Sequence, residues 1–173
     1  DSAKRGLKLF VGEANCRLCH SGPLFSDGEF HNVRVAPLSD ELPPDSGRHG
    51  GVAQLLADPF NASGPFSDAP EGEAARRVRH LARKPGDAGL FRTPTLRNVA
   101  VTAPYMHQGQ FADLDRVLRH YNTFDGALPP DHHSTLERFL APLQLTDAEL
   151  ADLRAFLETL TDVALDPIGI AHV

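Results

Sequence analysis

The 173-residue chain has no tryptophan, one methionine, two tyrosines and only two cysteines. Nowhere does it approach the roughly 18 consecutive apolar residues of a bilayer-spanning helix, which excludes a helical membrane span. Positive charge is also short: 17 Lys and Arg against 23 Asp and Glu leave a net charge of −6. That sign argues against nucleic acid as the main partner. Cys16 and Cys19 stand too close together to staple distant segments, so no disulfide framework holds the chain. What remains is ordinary for a globular protein: 41% hydrophobic and 23% charged residues exclude wholesale disorder. The length suits one domain, since roughly 100 to 200 residues usually make one. With 14 Gly and 14 Pro and few aromatics, long loops need something to organise them.

The two cysteines fall in Cys16-Arg17-Leu18-Cys19-His20, a C-x-x-C-H pattern. This is the attachment signal of c-type haem: both thiols add to the porphyrin vinyl groups, and the adjacent imidazole ligates the iron. A thioredoxin-like redox pair would need a βαβ context that the sequence lacks. A zinc site would need two further soft ligands where no other cysteine exists. One covalent haem c is therefore expected. Such haem is assembled outside the cytoplasm, so the mature protein is expected to be periplasmic, with its signal peptide removed or the chain beginning inside a longer polypeptide.

Apolar spacing places a helix over 3–14, with Leu7, Phe10 and Val11 in helical register and Gly6 one turn from Phe10. Near the other end, Thr146 to Glu149 reads as a capping box ahead of an apolar stripe of Leu150, Leu153, Phe156, Leu157 and Leu160. A glycine on one helix and aromatics on both would let these two cross closely, as the terminal helices of cytochrome c do. A third helix over 113–122 sets Leu114, Val117, Leu118 and Tyr121 on one face. Between Ser21 and Pro85 only 73–83 looks helical, and the run from Leu90 to Pro104 reads as helix-free. The expected fold is a mainly α, cytochrome c-like single domain over 1–173, with a long loop insertion at about 21–90 around the haem.

Taken together, these stretches resemble the haem domain at the C-terminal end of bacterial di-haem cytochrome c peroxidases and their MauG-type relatives. The resemblance rests on Gly6 to Phe10, Cys16 to Phe25, Phe30-His31-Asn32-Val33, Asp45-Ser46-Gly47-Arg48, Phe91 to Val99, Thr102 to His107 and the Leu-rich last helix, in family order from about 5 to 162. It implies an oxidoreductase role in electron transfer and peroxide-linked oxidation. Family members carry two haems in two domains, so the chain resembles one half, without the preceding domain. A second haem domain or a redox partner protein, and hydrogen peroxide, are the implied partners. Two other roles stay open: a free-standing mono-haem electron carrier and a haem-based sensor of small ligands.

The resemblance also names candidates for the sixth iron ligand. In the peroxidases a methionine fourteen residues beyond the histidine of the Pro-Tyr-x-His stretch holds this place, and in MauG-type proteins a tyrosine does. Fourteen beyond His107 is Tyr121. A phenolate favours oxidised iron, whereas a thioether raises the potential. Met106, the only methionine, is the rival ligand; His107 reads as a distal group with a catalytic role beside Tyr121, and His120 should point about 100° away from Tyr121. Pro23 is expected to supply a carbonyl to the His20 ring. Arg48, Arg92 and Arg97 are expected at haem propionates or as loop anchors. The family further implies a calcium ion on the backbone carbonyls of Thr102 and Pro104. Gln108 stands where an acidic residue is common. The run Arg76, Arg77, Arg79, Arg83 and Lys84 reads as a solvated helix face or a docking patch. His31, His49, His80, His132, His133 and His172 show no metal-binding spacing.

Overall fold

A computed structural model describes residues 1–39, 45–129 and 140–162. His132, His133 and His172 lie outside them. Five α-helices are present among these residues: α1 (Ser2–Val11), α2 (Arg48–Ala57), α3 (Glu73–Arg79), α4 (Leu114–Thr123) and α5 (Asp147–Glu158). Two short strands, β1 (Phe30–His31) and β2 (Phe91–Arg92), pair antiparallel with Phe30 opposite Arg92. Single 3₁₀ turns occupy Cys16–Leu18, Pro85–Asp87 and Val99–Val101.

The chain gathers into two compact units. The first comprises Asp1–Glu29, Thr93–Ala127 and the stretch from Phe139. Its core joins Phe10 and Ala14 to Val99, Leu114, Leu118, Leu145, Leu150, Leu153, Phe156 and Leu157. The contact of α1 with α5 depends on Gly6: an ideal Cβ there would lie 1.9 Å from the Asp152 carbonyl oxygen and 2.9 Å from the Phe156 Cβ. With hydrogen in that place the helix backbones touch, and Phe10 meets Phe156 with ring centroids 5.0 Å apart. The crossing is locked at its edge, where Asp152 accepts from Arg5 Nε at 2.6 Å, Arg5 Nη2 at 2.7 Å and the Ser2 hydroxyl at 2.5 Å. These bonds hold the Asp152 carboxyl below its ordinary range.

Helix α5 starts at the expected capping box: the Thr146 hydroxyl accepts from Glu149 N–H, and the Glu149 carboxylate accepts from Thr146 N–H at 2.8 Å. Helix α4 starts one residue later than its periodicity places it, because Asp113 is the N-cap and accepts from Arg116 N–H at 2.8 Å. It ends at Phe124, whose φ of 56° turns the chain out of the helix. Asn122 then ties α4 to the entry of α5, donating to the Leu145 carbonyl at 3.0 Å and accepting its N–H at 2.7 Å.

The second unit comprises Phe30–Arg92 and Leu128–Arg138. It contains a correction, since α2 forms in a segment that reads as loop. Gly50 and Gly51 lower the intrinsic helix propensity there, and Val52 is the helix's only buried residue, so no apolar stripe marks it. It is held by its start: Gly47, at φ 58°, lies against Leu90, where a Cβ would meet the Leu90 carbonyl oxygen at 2.4 Å, and Arg48 N–H donates to that same carbonyl at 2.8 Å. Arg48 also stacks over Phe30 at 4.4 Å and pairs with Asp87 at 3.4 Å. Helix α3 is shorter than expected and closes at His80. Its arginines bond within their own segment: Arg77 to Glu73, Arg79 to Glu71 and the Pro70 carbonyl, and Arg76 to the Glu71 carbonyl.

Candidate haem site

All three residues of the attachment motif belong to the first unit. After α1, Asn15 adopts a left-handed φ of 54° and starts the 3₁₀ turn that carries Cys16. The turn closes with Leu18 N–H on the Asn15 carbonyl at 3.0 Å and His20 N–H on the Cys16 carbonyl at 2.9 Å. Both cysteines are half-buried, and no disulfide joins them. Cys16 packs against the core, and that burial pushes its thiol up to about 11.

His20 Nδ1 lies 2.9 Å from the Phe25 carbonyl oxygen. A carbonyl only accepts, so Nδ1 carries the proton and Nε2 keeps the lone pair that a metal ligand requires. Pro23 therefore does not hold this position. Its carbonyl accepts from Arg97 Nε at 2.9 Å, and the next carbonyl, Leu24, accepts from the Thr95 hydroxyl at 2.6 Å. With those two oxygens turned toward the 95–97 segment, Phe25 is the first one available to His20. Phe25 itself has a φ of 50°, an unusual value for a bulky residue. Its ring lies 6.2 Å from Phe10 and 6.4 Å from Phe156, so the α1/α5 crossing holds the residue whose carbonyl orients the imidazole.

Tyr121, near the C-terminal end of α4, is half-buried, and no hydrogen bond to its hydroxyl forms among the described residues. Burial raises its phenol above the ordinary range, and the charges of nearby Cys16 and Cys19 oppose its ionisation further. Its ring stands edge-on to His120 at 5.3 Å and to Phe124 at 6.2 Å. His120 is buried at 6% exposure, with Phe111 at 5.3 Å and Phe124 at 5.1 Å around it. A histidine counts as polar in an apolar periodicity, which is why the stripe on α4 omits it.

Met106 and His107 occupy a tight turn closed by Tyr105 and Phe111, whose backbones bridge at 2.7 and 3.3 Å. Met106 is half-buried at φ 70°. Arg97 acts as a loop anchor through Pro23 and leans over Phe25 at 5.8 Å. Arg48 and the exposed Arg92 belong to the second unit. Thr102 and Pro104 are exposed, and no group of three His, Cys, Asp or Glu side chains gathers there among the described residues. These residues alone do not make a calcium site. The haem donors fit better: two thiols, an imidazole presenting Nε2, and a phenol with no hydrogen-bond partner among the described residues. Apolar periodicity does not reveal Phe25 or Thr95, since both act from irregular segments through a carbonyl or a hydroxyl.

Fold and site together define a mainly helical, cytochrome c-like domain. No family model matches the chain. It is 36% identical over 169 residues to the cytochrome-c peroxidase IdrP1 of Denitromonas iodatirespirans, covering 92% of this chain and 40% of that protein. It is 34% identical over 158 residues to the methylamine utilization protein MauG of Methylorubrum extorquens, covering 91% of this chain and 34% of that one. Among solved structures, a MauG-like protein associated with microbial copper homeostasis superposes with a TM-score of 0.66 at 28% identity, over 95% of this chain and 48% of that chain. The di-haem peroxidase BthA of Burkholderia thailandensis gives 0.66 at 25% identity, over 94% and 43%. The chain is thus a half-length relative of the MauG and cytochrome c peroxidase di-haem oxidoreductases, spanning about two fifths of the curated relatives it matches. Among the described residues no helix is long and apolar enough to cross a membrane.

Proposed function

We propose that the chain is an exported c-type haem redox domain of a MauG-like or peroxidase-like protein, in which Cys16 and Cys19 hold the haem and His20 and Tyr121 bind its iron. The observation that carries this reading is the Tyr121 phenol, set near both attachment cysteines with no hydrogen-bond partner among the described residues. Met106, the rival ligand, lies on the separate turn closed by Tyr105 and Phe111. The haem supplies the redox chemistry, accepting or giving electrons during peroxide-linked oxidation. Phe25 keeps the His20 imidazole oriented and basic through Nδ1. The packed rings of Phe10, Phe25 and Phe156 exclude water behind that ligand. On binding the iron the Tyr121 phenol, neutral while buried, would give up its proton and supply a hard anionic oxygen that stabilises the oxidised state. Calcium at the Thr102 and Pro104 carbonyls would need oxygen donors from beyond these two residues. A second haem domain or a protein redox partner, with peroxide as oxidant, completes the proposed reaction.

The test is low-temperature EPR and optical spectroscopy of the ferric protein before and after peroxide, on wild type, Tyr121→Phe and Met106→Leu. The expected result is a His/Tyr signature that peroxide alters, lost in Tyr121→Phe and kept in Met106→Leu. Ferric spectra unchanged by Tyr121→Phe would remove the phenol from the iron. A peroxide-inert methionine-type signal would instead make the domain a plain electron carrier.

A further inference from the structure

The turn carrying His107 contains a hydrogen-bond set that determines which ring nitrogen bears the proton. Gly109 N–H donates to the Met106 carbonyl at 3.2 Å, and the Tyr105–Phe111 bridge closes the loop, so residues 106–110 are held in one arrangement. Inside it, Gln108 N–H donates to Gln110 Oε1 at 3.0 Å. A backbone N–H has no acceptor role, so the Gln110 amide can face it only with its oxygen. Its other end, Nε2, is then a donor, and it lies 3.2 Å from His107 Nε2 and 3.3 Å from Gln108 Oε1. Turning the amide over would set N–H against N–H at Gln108. The orientation follows from the backbone rather than from a choice between two equivalent atoms.

We propose that Gln110 is a positioning residue that holds His107 with its lone pair on Nε2 and its proton on Nδ1. An amide N–H facing Nε2 can be accepted only by an unprotonated nitrogen. In a neutral imidazole the proton then sits on Nδ1. His107 then carries its proton on Nδ1, while Nε2 is engaged by Gln110 and not available to the iron. This rests on the proposed function and deepens it, because a His107 whose Nε2 accepts from Gln110 does not compete with Tyr121 for the iron through that nitrogen. Gln108 assists from two sides, since its N–H fixes the amide of Gln110 and its side-chain oxygen takes the second amide hydrogen.

The experiment reads the tautomer directly and does not depend on peroxide activity. Haem-loaded protein labelled with 15N-histidine, reduced and saturated with carbon monoxide so that the iron is diamagnetic, is recorded by long-range 1H–15N correlation; His107→Gln identifies the signals. Wild type should show a protonated Nδ1 and an unprotonated Nε2. Gln110→Glu keeps an oxygen for Gln108 N–H but sets a carboxylate against Nε2, so the Nε2 proton should appear. Gln110→Leu should lose the wild-type pattern, while helical circular dichroism stays unchanged in both variants. A wild-type proton on Nε2 would overturn the proposal, as would a Gln110→Glu spectrum identical to wild type. Failure of the His/Tyr reading would leave this result untouched, since it concerns the iron and not the imidazole of His107.

Discussion

Replacing Gly6 by alanine puts a methyl group into the α1/α5 crossing, and the structure sets how much has to move. The new Cβ would lie 1.9 Å from the Asp152 carbonyl oxygen, while ordinary contact begins at 3.4 Å, so the helices must part by about 1.5 Å at that point (3.4 − 1.9). The obstructing atom is helix backbone and cannot swing aside as a side chain would. Alanine gains about 0.8–1 kcal/mol of helix propensity over glycine. Overpacking of a close-packed contact costs about 1–3 kcal/mol and sometimes more. Separation also loosens Phe10 from Phe156 and Arg5 from Asp152, so a net loss of about 2 kcal/mol is expected. For a chain of this size that lowers the melting temperature by about 4–8 °C. The assay is thermal unfolding of the haem-loaded protein, followed by circular dichroism and haem absorbance. Gly51→Ala is the control: no atom lies within 4 Å of its Cβ position in α2, so the same substitution should stabilise by up to about 1 kcal/mol. A Gly6→Ala protein melting at or above wild type would refute the close-crossing argument.

Acid should expose the Asp152 clamp. Its folded-state value is depressed, so its contribution is full above the unfolded carboxylate value near about 3.9 and is lost as pH falls through the lower folded value. Asp152→Asn should flatten that acid limb in denaturant titrations between neutral and strongly acid pH, and an unchanged slope would count against the clamp. Asn122→Ala removes both bonds to Leu145 and should cost about 2 kcal/mol in denaturant unfolding; a loss below about 0.5 kcal/mol would mean the pair is replaced by water. Thr95→Val combined with Arg97→Ala frees the Leu24 and Pro23 carbonyls and loosens Phe25, weakening its bond to His20. Ligand basicity then falls and the reduction potential should rise in spectroelectrochemistry, with at most about 1 kcal/mol of stability lost per bond. A fall in potential would reverse the reasoning.

The sequence showed most clearly what is local or periodic. Cys16, Cys19 and His20 are contiguous; Thr146 and Glu149 sit three apart; and the apolar stripes of α1 and α5, with Gly6 between them, announce a close crossing. Fold class followed from these. The hidden parts depend on contacts between distant segments. Helix α2 is held by Gly47 against Leu90, which no periodicity within 48–57 reveals. The carbonyl facing His20 could not be read from spacing, because Pro23 and Leu24 are drawn off by Arg97 and Thr95, more than seventy positions away. The stretch from Leu90 to Pro104 reads as helix-free and contains no α-helix, yet it forms β2 and a 3₁₀ turn over Val99–Val101.

Phe25 serves two neighbours at once, its ring resting among the terminal helices and its carbonyl holding the imidazole. One of those helices, α5, begins 127 positions beyond the histidine it steadies (147 − 20). Until α5 docks on α1, His20 lacks its rigid backing, and only the arrival of Phe156 completes it. The haem spectrum should thus report the docking of the C-terminal helix, giving a folding signal at the iron for a contact made 146 residues apart between Phe10 and Phe156 (156 − 10).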